Sequence, residues 1–522
     1  MTADLNTYNS PQREINAAID NTRLKIFEHE SCTPRLAALA PVNKGRITRL
    51  LSTACIKKDD WSTSKKMAQA ADKTYLFEKM PIRRAILKQI IPSIAGQMII
   101  LIYNLTDTYF VGLLNDPRQT AAVTVVASSF VLLTAVSSLF AVGGATLMAR
   151  SLGQKDEEKA KQISAVSFWG GLFISVVLSL IFLIFSSPIL HLCGATEETY
   201  KLAFGYAKWV IIIGSAGSIL NILLANLIRA EGNSLIAALG VSLGGLCNII
   251  LDPFFVLPQF LGQGAVGAGA ATAISNMIAT LFLIAYIISK RKSTVVSLSL
   301  KRLRYALRHI KGIIAIGIPS VVQHALTVVS VSATLKFVSG YETEAVAGLG
   351  IVRKLDLLPL YFAIGVANGM LPLLAYNFAS GNSKRRHEAF LFGCAISLGF
   401  AIFCLVCYEA FAPFLTGLFI DDALTISYSS AFLRIMVVAM PMMSICYPMI
   451  VQFQAMGRVR EALVCSILRK GVIDIPLLFV LNRIIPLYGC MMVQPIVDTV
   501  SLIVAICFYR KILLEDKKKI IG

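Results

Sequence analysis

Charged side chains are scarce in this sequence. Asp, Glu, Lys and Arg make up 15% of 522 residues, where a soluble domain carries about a quarter. Hydrophobic residues make up 56% and mean hydropathy is +0.70. A soluble chain of this length is not so apolar, so the sequence reads as a polytopic membrane protein. Other absences narrow the function. With no phosphate-cradling glycine loop, ATP is not the energy source. No HExxH or DxxxD word lies in a loop, whereas an intramembrane prenyl or glycosyl transferase needs paired acids or metal ligands at an aqueous boundary. The chain is therefore not expected to be an enzyme or to need a cofactor. The eleven cysteines lack paired spacing across loops, which argues against disulfide staples. Cys404 and Cys407 form a CxxC inside an apolar run and read as small polarizable core residues.

The net charge of +19 is concentrated in short loops between apolar runs, an orientation signal for membrane insertion and not a nucleic-acid surface. After Met80 there are twelve such runs, near 84–114, 121–149, 163–187, 200–228, 235–257, 264–288, 312–338, 343–377, 389–412, 424–453, 460–482 and 488–509. Each can cross a hydrocarbon core of about 30 Å. Alternate connections are basic: RSLGQKDEEKAK, the 289–311 linker, SGNSKRRHE, GRVRE and the tail RKILLEDKKK. Those between them are poor in Lys and Arg. Both termini and the linker are thus expected in the cytoplasm of a cell-membrane protein, the linker facing solvent or lipid headgroups.

Residues 1–80 are polar and hold no spanning run; a disordered cytosolic extension is expected, with Met67 and Met80 as alternative starts. No secretory signal pattern opens the chain. The stretch GRITRLLSTACIKK has the composition of a short basic interfacial helix.

The basic linker divides the spans six and six, and the halves repeat each other. IPS at Ile91–Ser93 returns at Ile318–Ser320, 227 positions on. LGQK after span two returns as SGNSK after span eight (Gly153 and Gly381, offset 228), and RAEGN after span four as QAMGR after span ten (Gly232 and Gly457, offset 225). The fold class expected is all-α: two six-helix lobes, 81–288 and 312–509, related by a pseudo-two-fold along the membrane normal, with a tail at 510–522. Such bundles place a substrate cavity between the lobes.

Several words resemble the multidrug and toxic-compound extrusion (MATE) family of cation-coupled efflux transporters. They are NLTDTYFVG in span one, LIRAEGN after span four, NIILDPFFV in span five, GAVGAGAATAIS in span six, AYNFASGNSKR after span eight and FQAMGR after span ten. The resemblance covers about residues 82–512. It implies two lobes forming a V that opens alternately to each side, exporting small organic compounds against inward Na⁺ or H⁺, as a monomer among membrane lipids. A flippase for a lipid-linked or polysaccharide precursor is the alternative; it would favour more than twelve spans and a more cationic cavity.

Depth counting brings a set of polar residues together. At 1.5 Å per residue, Asp107 lies about 10 Å below the outer end of span one, Asp252 about 8 Å below that of span five, and Thr272 about 12 Å into span six. Tyr103 and Asp107 are four apart, as are Asn248 and Asp252, so each pair shares a helix face. The carboxylates, amide and hydroxyl suit Na⁺; alternatively, two acids in low dielectric hold a proton near neutral pH. Pro253 removes a backbone bond beside its acid, so helix bending that responds to charge is a plausible coupling device. The resemblance implies a first-lobe cation site at Asp107 and the Asn248–Asp252 pair, with Tyr103 and Thr272 matching more loosely. Plainer roles are hydrogen-bonded structure for Asp107, a kink cap for Asp252, and helix packing for Asn248 and Thr272.

By the repeat, Asp107 maps to Thr334, and Asn248 and Asp252 map to Lys470 and Asp474. Lys470 and Asp474 are expected to form an ion pair, which leaves coupling to the first lobe. In span eight, Arg353 and Lys354 lie deep, with Asp356 placed to pair with Arg353; the trio either locks the lobe or lines the cavity. Gln323, His324 and Met443 are further cavity candidates. Met440, Met442, Met443 and Met449 suit either an adaptable wall or plain core.

Overall fold

The computed structural model describes residues 75–114 and 116–521, all within one compact unit, Gln69–Gly522. The apolar runs are helices. In the first lobe α1 (Ile82–Gly112), α2 (Pro117–Gly153) and α3 (Glu157–Ile184) are followed by a short α4 (Ser186–Leu192). The fourth span is α5 (Glu197–Ala207), a π-helical turn and α6 (Ser215–Ala230); α7 (Ser234–Val256) and α8 (Gly264–Ser289) complete the lobe. The second lobe has α9 (Ala306–Val338), α10 (Thr343–Ala379) and α11 (Ser383–Gly417), then α12 (Ala423–Val437) with α13 (Met440–Ala455). Its last two spans are α14 (Val459–Ile467) with α15 (Asp474–Ile484), and α16 (Tyr488–Ile521). Among the described residues, nine helices are long and apolar enough to cross a membrane singly, and two bent pairs do so together. The split α14–α15 covers the apolar run 460–482.

The duplication is visible in the backbone. The fourth and tenth spans each bend by 47°. Gly232 and Gly457, one after each bent span, both take the left-handed conformation (φ 98° and 71°), which costs a residue without Cβ nothing. After spans two and eight the register differs from the sequence match. The left-handed residues are Lys155 and Gly381, and the caps that follow are Asp156, accepting from Lys159 N at 2.9 Å, and Asn382, accepting from Arg385 N at 3.1 Å. Cap geometry thus pairs Lys155, not Gly153, with Gly381.

One hydrophobic core at the basic-loop end takes residues from both lobes, including Phe77, Phe140, Met148 and Leu223 with Met370, Tyr376, Phe390 and Phe453. Towards the other end there are two cores, one per lobe: Val111, Val126, Tyr206 and Val256 in the first; Leu349, Phe432, Met491 and Val497 in the second. The lobes are therefore joined at the basic end and separate beyond it. Two crossings make the joint, α2 on α9 and α1 on α10, and glycine permits both. A Cβ on Gly143 would fall 2.1 Å from the Ile313 carbonyl oxygen, one on Gly317 2.2 Å from that of Leu139, and one on Gly369 2.7 Å from Ile90 Cα.

Two expectations need correction here. Tyr75–Lys79, assigned to the polar extension, is a π-helical turn with Leu76 and Phe77 buried. The rest of that extension, the stretch GRITRLLSTACIKK included, lies outside the described residues. The linker is not simply solvated, because its apolar Val295 and Val296 are buried. Glu231 accepts from Thr294 Oγ1 at 2.8 Å and Val295 N at 3.0 Å, and Trp169 Nε1 donates to the Leu298 carbonyl at 3.2 Å. The tail stays helical, held by ion pairs from Arg386 to Asp516 and Arg458 to Glu515.

Candidate functional site

Helices α1, α7 and α8 bring the predicted first-lobe residues together. Asn248 sits one turn before Asp252 on α7 and donates its amide both to Asp252 Oδ1 (2.9 Å) and to Thr272 Oγ1 on α8 (3.4 Å). Facing them, α1 packs so close to Gly245 that a Cβ there would lie 3.1 Å from the Tyr103 ring. Tyr103 and Asp107 are thereby within electrostatic reach of Asp252. Asp252 has no exposed surface, Asn248 is 2% exposed and Thr272 7%.

Three buried oxygens here have no hydrogen-bond partner among the described residues: Asp107 Oδ1, Asn248 Oδ1 and Asp252 Oδ2. Leaving an ionised carboxylate buried and unpaired costs several kcal/mol, so groups of this kind are paired, protonated or bound to a cation. Among the described residues, no Lys or Arg is within reach to balance the two acids. Among the described residues no group of three His, Cys, Asp or Glu could hold a metal ion. A small hard cation would need the neutral oxygens of Asn248, Thr272 and the tyrosines besides the carboxylates.

Sequence reasoning missed Tyr206. It ends α5, is buried, and lies within electrostatic reach of Asp107, Asp252 and Tyr103. The glycines of α8 admit it, since a Cβ on Gly269 would lie 2.9 Å from the Tyr206 carbonyl oxygen. No spacing in the sequence marks this residue, because the bend and π-helical turn of the fourth span decide where α5 meets α8.

At the inner edge of the site, Asn104 Nδ2 donates to the Tyr361 hydroxyl on α10 at 3.4 Å, bridging the lobes one turn from Asp107.

The second lobe departs from expectation. Lys470 does not pair with Asp474; it donates to Gln494 Oε1 on α16 at 2.6 Å. The direct ion pair is Arg469 to Asp498, 2.7 Å and fully buried, with the Arg469 guanidinium 4.5 Å above the Tyr447 ring. The α-helix ends before Lys470, whose backbone (φ −134°, ψ 16°) turns the side chain across towards α16. Arg353 and Asp356 likewise form no ion pair within 4.0 Å, although each feels the other's charge; Lys354 is exposed. Gln323 is buried on α9, its carbonyl accepting from Thr327 at 2.7 Å, while His324 makes no hydrogen bond among the described residues. Met443, like Met440 and Met449, is buried.

Comparison with known proteins agrees with this architecture. The MatE family model matches residues 92–254 and 319–480, one match per lobe. The chain is 30% identical over 446 residues to the multidrug export protein MepA of Staphylococcus saprophyticus, covering 85% of this chain and 97% of that protein. MepA of Staphylococcus aureus strain RF122 is 31% identical over 421 residues, covering 80% of this chain and 92% of that protein. Among solved structures, an outward-facing multidrug resistance MATE family transporter of the MOP superfamily aligns with a TM-score of 0.79 at 24% identity, over 85% of this chain and 98% of that one. A MOP superfamily transporter from Pyrococcus furiosus, described as having a binding pocket of reverse polarity, aligns at 0.79 and 23%, over 85% and 98%. With both lobes matched by one family model and full-length relatives at this identity, the chain belongs to the MatE family of multidrug and toxic-compound extrusion transporters.

Proposed function

We propose that this transporter is a cation-coupled antiporter that exports amphipathic organic compounds by alternating access, with Asp107, Asp252, Asn248, Tyr103, Thr272 and Tyr206 forming its coupling site. The observation that carries the reading is the set of buried oxygens on Asp107, Asn248 and Asp252 that have no partner among the described residues, with no basic side chain among those residues to balance the acids. A site of this composition must gain a proton or a cation before its acids are neutral.

Basic loops face the cytoplasm, so the joined end of the lobes is cytoplasmic and the separated end opens outward. Helix α1 links site and joint: Tyr103 and Asp107 lie on its outer half, Asn104 reaches Tyr361, and Ile90 and Ile94 pack on Gly369 and Gly365 of the other lobe. A charge change at the site shifts the balance between outward- and inward-open states only as far as α1 binds differently in the two. The relatives named as multidrug export proteins support small organic substrates.

Purified protein in liposomes, loaded with a fluorescent organic cation and given a Na⁺ or a pH gradient separately, tests the reading. Gradient-driven efflux that disappears in Asp107→Asn is expected; efflux that survives the substitution at equal protein abundance overturns the assignment.

A further inference from the structure

The site of the first lobe has a counterpart in the second, and the counterpart holds its own cation. Asn248 on span five donates to Thr272 on span six across 24 residues; Lys470 on span eleven donates to Gln494 on span twelve across 24 residues. The same shift of 222 positions carries Asp252 onto Asp474. Repeat register and tertiary contact therefore agree: Lys470 stands where Asn248 stands, its ammonium beside the group that replaces Thr272. Both lysine and aspartate are buried, 7% and 5% exposed.

Charge balance separates the two places. The first-lobe site has Asp107 and Asp252 with no Lys or Arg in reach among the described residues. Around Lys470 stand Arg469, Arg353, Asp498 and Asp474, and Asp356 feels the same cations. Three cations face three carboxylates, and Arg469 with Asp498 already pair directly. The second-lobe cluster is neutral without any mobile ion.

The backbone is adapted to this. Asn248 lies within the uninterrupted helix α7, whereas α14 gives way to the π-helical turn Leu468–Val472 at the lysine. A lysine is longer than an asparagine, and the break lets its amine reach α16 while Asp474 begins the next helix.

We infer that Lys470 is a tethered cation, permanently filling in the second lobe the position that the first lobe fills from solution, so that only one lobe exchanges a cation during transport. The inference rests on the proposed coupling site, and its test is arranged so that each can fail separately.

The experiment measures ²²Na⁺ binding, and in parallel proton uptake by titration, on purified full-length protein in nanodiscs. The unaltered chain should bind at one site, abolished in Asp107→Asn with Asp252→Asn. Survival of that binding refutes the coupling site alone. Lys470→Asn, added to those two substitutions, should create a new binding event dependent on Asp474, whereas Lys470→Arg should create none. A folded Lys470→Asn chain that gains no cation or proton site overturns the inference. If Lys470→Asn does not fold, Lys470→Met is compared with Lys470→Met plus Asp474→Asn. Recovery of folded protein in the double variant supports the tethered charge, and no recovery refutes it.

Discussion

The Phe77 ring lies flat on the Tyr376 ring, centroids 4.7 Å apart, and so joins the turn before α1 to α10 of the other lobe. The Tyr376 hydroxyl donates to Glu78 at 2.7 Å, and Arg385 of α11 donates to the carbonyls of Phe77 and Met80, each at 2.7 Å. This short turn closes the joint at the basic-loop end. Removing residues 1–66 leaves it whole and is expected to leave transport unchanged. A chain beginning at Met80 loses the ring and the carboxylate, and should spend more time inward-open. Faster labelling of Ile94→Cys by a membrane-impermeant thiol reagent added from the cytoplasmic side, against a chain without that cysteine, checks this; equal rates refute the latch.

Asp252→Asn removes a fully buried carboxylate that has one unpartnered oxygen. Its absence relieves a desolvation cost, so thermal stability in detergent should hold or rise while gradient-driven efflux is lost. Reduced stability together with normal efflux would assign Asp252 to the framework.

Tyr206→Phe keeps the ring that packs on Gly269 and removes only the hydroxyl, which lies within electrostatic reach of the acids. Expression should be normal and the cation concentration for half-maximal efflux higher. An unchanged concentration dependence would remove Tyr206 from the site.

Gly143→Ala puts a methyl 2.1 Å from the Ile313 carbonyl oxygen, so α2 and α9 must separate; Gly350→Ala meets nothing within 4 Å. The first should lower the melting temperature and impair efflux. The second should be neutral or stabilising by about 0.5–1 kcal/mol, since alanine favours helix more than glycine does. Thermal unfolding of the two purified variants separates them.

The linker's Arg302 donates to Glu158 at 3.1 Å, and these hydrogen bonds hold the Glu158 carboxyl below its usual range. A carboxylate with a depressed folded pKa stabilises above its unfolded value and loses that contribution as pH falls through the folded one. The pair is largely exposed, so after screening its worth is about 0–1 kcal/mol. Arg302→Ala should shift the melting temperature slightly at pH 7 and less still at pH 3; a large shift at pH 7 would mean that the linker depends on this pair.

The twelve spans, their two groups of six and the first-lobe residues were legible in the sequence because each leaves a local signature. Apolar length marks a span, spacing of four marks a shared face, and a constant offset marks duplication. Asp107, Asn248, Asp252 and Thr272 could be brought to one layer by counting rise along helices that all cross the same slab. Partner choice was decided only by tertiary structure. Tyr206 comes within electrostatic reach of Asp107 and Asp252 because the fourth span bends and α8 offers glycine. Lys470 reaches Gln494 and not Asp474 because the helix breaks at the lysine, and an i, i+4 rule holds only where the helix continues. Loop pairing at Lys155 and Gly381 follows the caps and not the repeated glycine. Sequence sets what each helix buries; which buried groups meet depends on where helices bend and how closely their backbones approach.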